Sequence, residues 1–150
     1  MGNRLANLQN ATTKLEEYLG KILLKSAIYQ TAAWGKTDQS AFLNQVIVIE
    51  FEGYSLNALD KILAIETELG RVRTEAWGER IIDIDILFHG SRIISESRLQ
   101  VPHPYLHLRN FTLKPLIEIG EQWLHPKLGK SILELYHACP DSLMAEIFDC

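Results

Sequence analysis

A polar loop that leads into an alternating strand is encoded by residues 70–88, GRVRTEAWGERIIDIDILF. Residues 71–80 have no apolar periodicity, which predicts a loop, whereas the alternation in residues 81–88 predicts a β-strand. Because side chains alternate across a strand, Asp83 and Asp85 point to one face and the isoleucines beside them point to the other. The strand is therefore expected to present two carboxylates together.

Carboxylates and arginines meet at this junction of loop and strand. Hard oxygen ligands suit Mg²⁺, which commonly uses one or two carboxylates plus substrate phosphates. The guanidinium groups of Arg71, Arg73 and Arg80 can bind phosphate oxygens bidentately. The alternative is an exposed loop and strand face whose arginines pair with nearby acids, but such surface pairs contribute only about 0–1 kcal/mol. The combination favours a phosphoryl-transfer site, with Trp77 in the same loop covering a ligand.

The rest of the chain predicts helices and an antiparallel strand pair. Apolar spacing predicts amphipathic helices at 4–19 and 55–69, and β-branched and aromatic runs at 25–33 and 45–51 predict two paired strands. Further predictions are a short helix at 113–119 with Pro115 in its first turn, a helix opened by a capping box at Ser131 and Glu134, and a last strand at 143–148. This order predicts one α/β or α+β domain over residues 1–150.

Composition excludes several classes of protein. The 150 residues are 47% hydrophobic and 23% charged, as in an ordinary globular domain. A net charge of −4 argues against broad binding to nucleic acid. No apolar run approaches the roughly 20 residues that a membrane span requires, and the first residues lack the apolar core of a secretory signal. We therefore expect a cytoplasmic protein with no membrane or nucleic-acid partner, in which Cys139 and Cys150 are free thiols.

Two other sequence patterns do not complete a nucleotide-binding or metal-binding motif. Gly129-Lys130-Ser131 looks like the end of a P-loop, but Leu124 stands where that motif requires glycine. His103 and His107 are four residues apart, a spacing that suits a metal only on a helix, and the neighbouring prolines argue against a helix there.

Several motifs together resemble one enzyme family. They are the run 70–90, Val101-Pro102-His103-Pro104, Arg109-Asn110-Phe111, Tyr29-Gln30-Thr31-Ala32 and Phe42-Leu43-Asn44. This pattern is similar to that of the 6-hydroxymethyl-7,8-dihydropterin pyrophosphokinases of folate biosynthesis, over residues 2 to about 119. The resemblance implies a monomeric ATP-dependent diphosphotransferase that moves pyrophosphate from ATP to the hydroxymethyl group of the pterin and releases AMP. It also implies a ferredoxin-like α/β sandwich, a mainly antiparallel sheet with helices packed on it.

The resemblance also assigns roles to individual residues. Asp83 and Asp85 would hold two Mg²⁺ ions, and together with Arg71 and Arg80 they form the implied catalytic set. The implied ATP-binding residues are Arg71, Arg73, Trp77, Arg80, Ile86, Arg98, Gln100, His103 and Arg109. The implied pterin-binding residues are Thr31, Ala32, Trp34, Phe42, Asn44, Trp77 and Phe111. The family's first strand and its Gly-Ser-Asn-Leu turn have no counterpart ahead of the helix near Arg4, so the implied domain lacks that strand.

The pterin assignment agrees with the chemistry of the ligand, although alternatives stay open. A flat polar bicycle favours aromatic faces and a matched hydrogen-bonding rim, which Phe42, Phe111 and Asn44 can supply. The same phenylalanines could be core residues, and Asn44 could cap a strand. For the whole chain, the rival functions are a metal-dependent phosphohydrolase that uses the same acids and a non-catalytic ferredoxin-like ligand-binding module.

Overall fold

Helices and antiparallel strand pairs make up the fold, which confirms the predicted α+β class. The structure, a computed structural model, describes residues 3–31, 42–70, 82–141 and 145–148. The helices are α1 Arg4–Tyr18, α2 Ser55–Gly70, α3 Asn110–Gly120 and α4 Ile132–Ala138, with a 3₁₀ turn at Leu106–Leu108. The strands are β1 Ile22–Lys25, β2 Tyr29–Thr31, β3 Phe42–Asn44, β4 Ile47–Ile49, β5 Ile94–Ser95, β6 Gln100–Val101 and β7 Ala145–Ile147. No described helix combines the length and apolar character needed to cross a bilayer.

Two compact units divide the chain, Met1–Leu23 with Val48–Asp85 and Leu24–Ile47 with Ile86–Cys150. In the first unit α1 packs against α2. The apolar spacing of α1 predicts that Leu8, Ala11 and Leu15 face inward, and all three are buried. In α2 the apolar spacing predicts a stripe of Leu56, Leu59, Ile62 and Leu63, of which only Ile62 is buried. The buried residues of α2 are Ser55, Ala58, Ile62, Ile65 and Leu69.

Gly20 joins α1 to β1 at a point of close backbone approach. Its φ is +153°, and a Cβ at this position would clash with the backbone oxygen of Glu50. The neighbouring Lys21 carbonyl accepts a 2.8 Å hydrogen bond from the Glu50 amide. Only glycine combines that backbone conformation with the missing side chain, so the turn requires it.

The predicted antiparallel pair is confirmed, but its second strand lies earlier than expected. Tyr29 pairs with Asn44 and Thr31 with Phe42, and β7 flanks β2 on the other side. Residues 47–49 instead form β4, which pairs with β1 in a separate sheet.

A buried serine explains why the predicted strand at 25–33 is split between β1 and β2. Ser26 exchanges hydrogen bonds with Val46, donating its amide to the Val46 carbonyl and accepting the Val46 amide on its hydroxyl oxygen at 3.0 Å. The Gln45 side chain donates to the Ser26 carbonyl at 2.7 Å. These side-chain bonds compete with the regular ladder, so the strands are interrupted at this level.

The second unit has its core between α3 and α4. The buried cluster comprises Leu106, Leu113, Leu116, Ile132 and Leu135. Helix α3 begins at Asn110, three residues before the predicted start, so the prediction that Pro115 lies in the first turn is wrong. The early start has a distant cause, since the Asp141 carboxylate accepts the Asn110 amide at 3.0 Å and caps the helix.

The capping box of α4 and the last strand are confirmed. The Glu134 carboxylate accepts the Ser131 backbone amide at 2.9 Å, and the Ser131 hydroxyl oxygen accepts the Glu134 backbone amide at 3.1 Å. The hydrogen bond from the Ser131 backbone amide lowers the pKa of the Glu134 carboxyl. Within the predicted range 143–148, residues 145–147 form β7.

The prediction of a strand at 81–88 is wrong for its described part, because residues 82–88 belong to no helix or strand. The predicted alternation nevertheless holds, since Ile82, Ile84 and Ile86 are half-buried while Asp83 and Asp85 are exposed. The Ile84 amide donates to a side chain, that of Glu66, rather than to a strand carbonyl. The alternation of apolar and polar residues determines which side chains face inward, but a β-strand also requires hydrogen bonds to the backbone of a neighbouring strand.

A buried histidine organises the turn before α4. The His125 ring is 4% exposed and its Nδ1 accepts the Lys127 and Leu128 amides at 3.2 and 3.0 Å. Burial lowers the pKa of His125, and the nearby His107 and Lys127 lower it further. A ring nitrogen that accepts two amides must be unprotonated, so the fold requires the neutral imidazole.

Acidification is therefore expected to destabilise the protein through His125. Neutral His125 adds its full contribution to the free energy of unfolding above the unfolded-state pKa of about 6.5. This contribution is lost as pH falls toward the lower folded-state pKa, at up to about 1.4 kcal/mol per pH unit. Urea unfolding at several pH values between 8 and 5 should show a shallower acid loss for His125→Asn, whose amide oxygen accepts without titrating. His137→Asn, at an exposed site, serves as the control. Identical acid slopes for His125→Asn and the unaltered protein would contradict this prediction.

Candidate active site

Eleven of the predicted site residues lie within the described part of the chain, and six lie outside it. The described ones are Thr31, Phe42, Asn44, Asp83, Asp85, Ile86, Arg98, Gln100, His103, Arg109 and Phe111. Ala32, Trp34, Arg71, Arg73, Trp77 and Arg80 lie outside the described residues.

 Each of these eleven residues belongs to one of the two compact units.

The two predicted metal ligands lie in the first unit. Asp83 and Asp85 are exposed and alternate with half-buried isoleucines, so both carboxylates leave the same side of the segment. Among the residues that the structure describes, no group of three or more His, Cys, Asp or Glu side chains could hold a metal ion. Two carboxylates nevertheless fit Mg²⁺, because this ion completes its octahedron with water and substrate phosphate oxygens.

The described pterin-binding candidates gather on one face of the β3-β2-β7 sheet. Residues directly opposite each other in a ladder share a face, so Thr31 and Phe42 lie on the same face as Tyr29 and Asn44. The Thr31 hydroxyl is buried and has no hydrogen-bond partner among the described residues. Phe42 is 59% exposed, which contradicts its alternative assignment to the core. This face thus carries an exposed ring beside two polar side chains.

Helix α3 covers this sheet face and carries Phe111. The Tyr29 hydroxyl donates to Glu118 of α3 at 2.8 Å. Phe111 and Glu118 are seven residues apart, about two helical turns, and therefore lie on the same side of α3. Phe111 is half-buried in the first turn of the helix. Phe111 thus lies on the side of α3 whose Glu118 contacts Tyr29 of this sheet.

Glu118 holds the sheet to the helix. Its carboxylate accepts the Ala27 amide at 3.1 and 3.0 Å in addition to the Tyr29 hydroxyl. Burial, followed by the hydrogen bond and charge of Glu118, raises the pKa of Tyr29 to about 12. Tyr29 therefore stays a neutral donor at physiological pH, and its link to α3 persists.

A row of four side chains connects the ATP-binding candidates to Phe111. The guanidinium carbon of Arg109 lies 5.3 Å from the Tyr105 ring centroid and 5.5 Å from that of Phe111, within the range of cation–π attraction. Tyr105 also meets the His103 ring edge-on at 6.0 Å and donates its amide to His103 Nδ1 at 3.2 Å. A neutral imidazole that accepts at Nδ1 carries its proton on Nε2, which makes that nitrogen a donor suited to a phosphate oxygen.

The other ATP-binding candidates are less tightly grouped. Arg98 and Gln100 are exposed on the hairpin formed by β5 and β6, where Gln100 pairs with Ser95. Ile86 is half-buried and follows Asp85 directly in the chain. The structure thus brings Arg109 and His103 together through Tyr105, and it puts Arg98 and Gln100 on a separate hairpin of the same unit.

Residues 1–121 match the family model of 7,8-dihydro-6-hydroxymethylpterin-pyrophosphokinase (HPPK). This chain belongs to the HPPK family. The match confirms the resemblance drawn from the sequence motifs, and its end at residue 121 agrees with the expected limit near residue 119. The HPPK family has a ferredoxin-like fold, in agreement with the mixed helices and antiparallel sheets of this chain.

Similar proteins from three bacteria support the assignment to HPPK. A Synechocystis protein is 36% identical over 136 residues, covering 90% of this chain and 69% of the relative. A protein from Aquifex aeolicus is 39% identical over 134 residues, covering 89% of this chain and 83% of the relative. A protein from Methylorubrum extorquens is 41% identical over 121 residues, covering 80% of this chain and 77% of the relative. Each is named 2-amino-4-hydroxy-6-hydroxymethyldihydropteridine pyrophosphokinase.

Three residues close to the candidate site were not predicted from the sequence. Glu66 accepts the amide of Ile84 between Asp83 and Asp85, Tyr105 contacts His103 and Arg109, and Glu118 accepts the Ala27 amide and the Tyr29 hydroxyl. Glu66 and Glu118 act on residues 18 and 91 positions away, so no local pattern could reveal them. Tyr105 does lie within the 101–111 motif region, where an aromatic residue next to an arginine-containing motif was the available signal.

Proposed function

We propose that this chain transfers pyrophosphate from ATP to the hydroxymethyl group of 6-hydroxymethyl-7,8-dihydropterin and that the predicted site residues carry the reaction. The reaction itself is that of the HPPK family in folate synthesis. In it the hydroxymethyl oxygen bonds to the β-phosphorus of ATP, the bond from that phosphorus to the α–β bridging oxygen breaks, and AMP leaves. The hydroxyl proton is released to solvent.

The pterin-binding role rests on one observation, the sheet face that carries Thr31, Phe42 and Asn44 beneath the helix that bears Phe111. The two rings offer flat apolar surfaces to a planar bicycle. The Asn44 amide can donate and accept at the pterin edge, and the Thr31 hydroxyl, which has no partner among the described residues, gains a hydrogen bond there. A ring system without matching groups would leave these side chains unpaired, at a cost of about 1–3 kcal/mol each.

Binding of ATP is assigned to the residues that the family resemblance implies. Asp83 and Asp85 would hold two Mg²⁺ ions, which neutralise phosphate charge when bound. His103 Nε2 and the Arg109 guanidinium group are donors suited to phosphate or ribose oxygens, and the aromatic contacts of Arg109 fix its orientation. Arg71, Arg73, Trp77 and Arg80 complete the proposed set by family resemblance.

One assay separates this function from its rivals. The protein is incubated with ATP and Mg²⁺, with and without hydroxymethyl-dihydropterin, and nucleotides and pterins are separated by chromatography. We expect AMP only in the presence of pterin and in equal amount to the pterin pyrophosphate. ADP or free phosphate formed without pterin would instead indicate a phosphohydrolase. Pterin binding without any turnover would indicate a binding module.

The proposed number of metal ions has its own measurement. Mn²⁺ can replace Mg²⁺ and is counted by electron paramagnetic resonance in the presence of a non-hydrolysable ATP analogue. Two bound Mn²⁺ ions per chain are expected, and a plateau at one ion would contradict the proposal.

A further inference from the structure

Glu66 of α2 reaches the backbone between the two predicted metal ligands. One of its carboxylate oxygens accepts the amide of Ile84 at 2.8 Å. Ile84 separates Asp83 from Asp85, so this single hydrogen bond acts on the peptide segment that carries both carboxylates.

The hydrogen bond replaces the support that a sheet would provide. Residues 82–88 belong to no strand, and so the Ile84 amide is satisfied by a side chain. A hydrogen bond to an ionised carboxylate is stronger than one between neutral groups. Because the Cα–Cβ directions of Asp83 and Asp85 follow from the backbone at Ile84, fixing this amide also restricts where the two carboxylates point.

Glu66 can provide a firm anchor because the helix that carries it is well packed. Ile62 and Leu69 are buried on either side of it along α2, and its neighbour Ile65 has no exposed surface. Packing of α2 against α1 therefore limits the movement of Glu66. The hydrogen bond from Ile84 to Glu66 then holds the Asp83–Asp85 segment in a fixed position relative to α2.

We propose that Glu66 is a positioning residue that holds Asp83 and Asp85 in the arrangement needed for divalent-metal binding. This inference rests on the proposed function, in which the two aspartates are the metal ligands. Residues that orient metal ligands typically change metal affinity by about 10–100-fold when they are lost.

The test measures Mn²⁺ affinity by electron paramagnetic resonance, with a non-hydrolysable ATP analogue present, together with hydrogen exchange at the Ile84 amide. Glu66→Ala is expected to raise the Mn²⁺ dissociation constant about 10–100-fold and to accelerate that exchange. Glu66→Gln keeps an acceptor oxygen at the same distance from the helix and is expected to retain most of the Mn²⁺ affinity and most of the protection of the Ile84 amide from exchange. Glu66→Asp keeps the charge but is shorter by one methylene, and is expected to resemble Glu66→Ala.

Glu68 of the same helix supplies the matched control. Its carboxylate accepts a hydrogen bond from the Tyr18 hydroxyl and pairs with Lys14 at 3.5 Å, so Glu68→Ala removes a contact between α1 and α2 without touching the Ile84 amide. Glu68→Ala is expected to leave Mn²⁺ affinity unchanged. An equal loss of affinity in Glu68→Ala and Glu66→Ala would overturn the proposal, because a general loosening of the helix pair would then explain both.

Two further outcomes separate this inference from the proposed function. Unaltered Mn²⁺ affinity in both Glu66→Ala and Glu66→Asp, in a chain that does transfer pyrophosphate, would overturn the role of Glu66 alone. Weakened Mn²⁺ binding in Glu66→Ala, in a chain that makes no AMP with pterin, would support the role of Glu66 and overturn the proposed function. If Glu66→Ala does not fold, the comparison of Glu66→Gln with Glu66→Asp decides the question.

Discussion

Replacing Asp85 by alanine is expected to lower the rate of pyrophosphate transfer by at least about 10³-fold while leaving the protein folded. A metal ion that neutralises phosphate charge contributes several kcal/mol to the transition state, and each 1.36 kcal/mol corresponds to a tenfold change in rate. Asp85 is exposed, and surface substitutions usually change stability by no more than about 0.5 kcal/mol. Steady-state AMP formation and urea unfolding measure the two effects separately.

Two further variants sharpen the Asp85 experiment. Asp85→Asn keeps the shape of the side chain but removes its charge, and is expected to lose nearly as much activity as Asp85→Ala. Glu52→Ala removes an exposed carboxylate from the same compact unit and is expected to retain full activity. A near-normal rate for Asp85→Ala would refute the assignment of this residue as a metal ligand.

Replacing Phe111 by alanine is expected to weaken pterin binding by about 5–150-fold. Stacking of a planar heterocycle on an aromatic side chain is worth about 1–3 kcal/mol, as measured for nucleic-acid bases. Phe111 also touches the guanidinium group of Arg109, whose other aromatic neighbour, Tyr105, remains in the variant. ATP affinity should therefore fall less than pterin affinity. Calorimetric titration with each ligand gives both dissociation constants.

The choice of substituent distinguishes stacking from simple loss of volume. Phe111→Leu keeps an apolar side chain but has no flat face, and is expected to bind pterin almost as weakly as Phe111→Ala. Phe111→Tyr keeps the ring and should bind pterin normally. Tyr54→Ala removes a ring that is 78% exposed in the other compact unit and serves as the control. Normal pterin affinity in Phe111→Leu would show that the ring does not stack on the substrate.

Local sequence patterns were sufficient wherever neighbouring residues determine the structure. Helix α1 follows its apolar spacing, and α4 begins at a capping box whose two members are three residues apart. The exposure of Asp83 and Asp85 also follows from alternation alone. The family motifs identified the reaction for the same reason, because the chemistry of the site is carried by short runs of specific residue types.

Distant contacts decided the features that those patterns could not predict. The split of the first strand pair depends on Ser26 meeting Val46, and the start of α3 depends on Asp141, which is 31 residues from Asn110. Glu118 reaches Tyr29 across 89 positions and brings the helix that bears Phe111 onto the sheet. The sequence by itself thus predicted which residues bind ATP, metal and pterin. Only the tertiary structure decided how the described ones among them are held, because a hydrogen bond between distant residues depends on how the chain packs and not on local spacing.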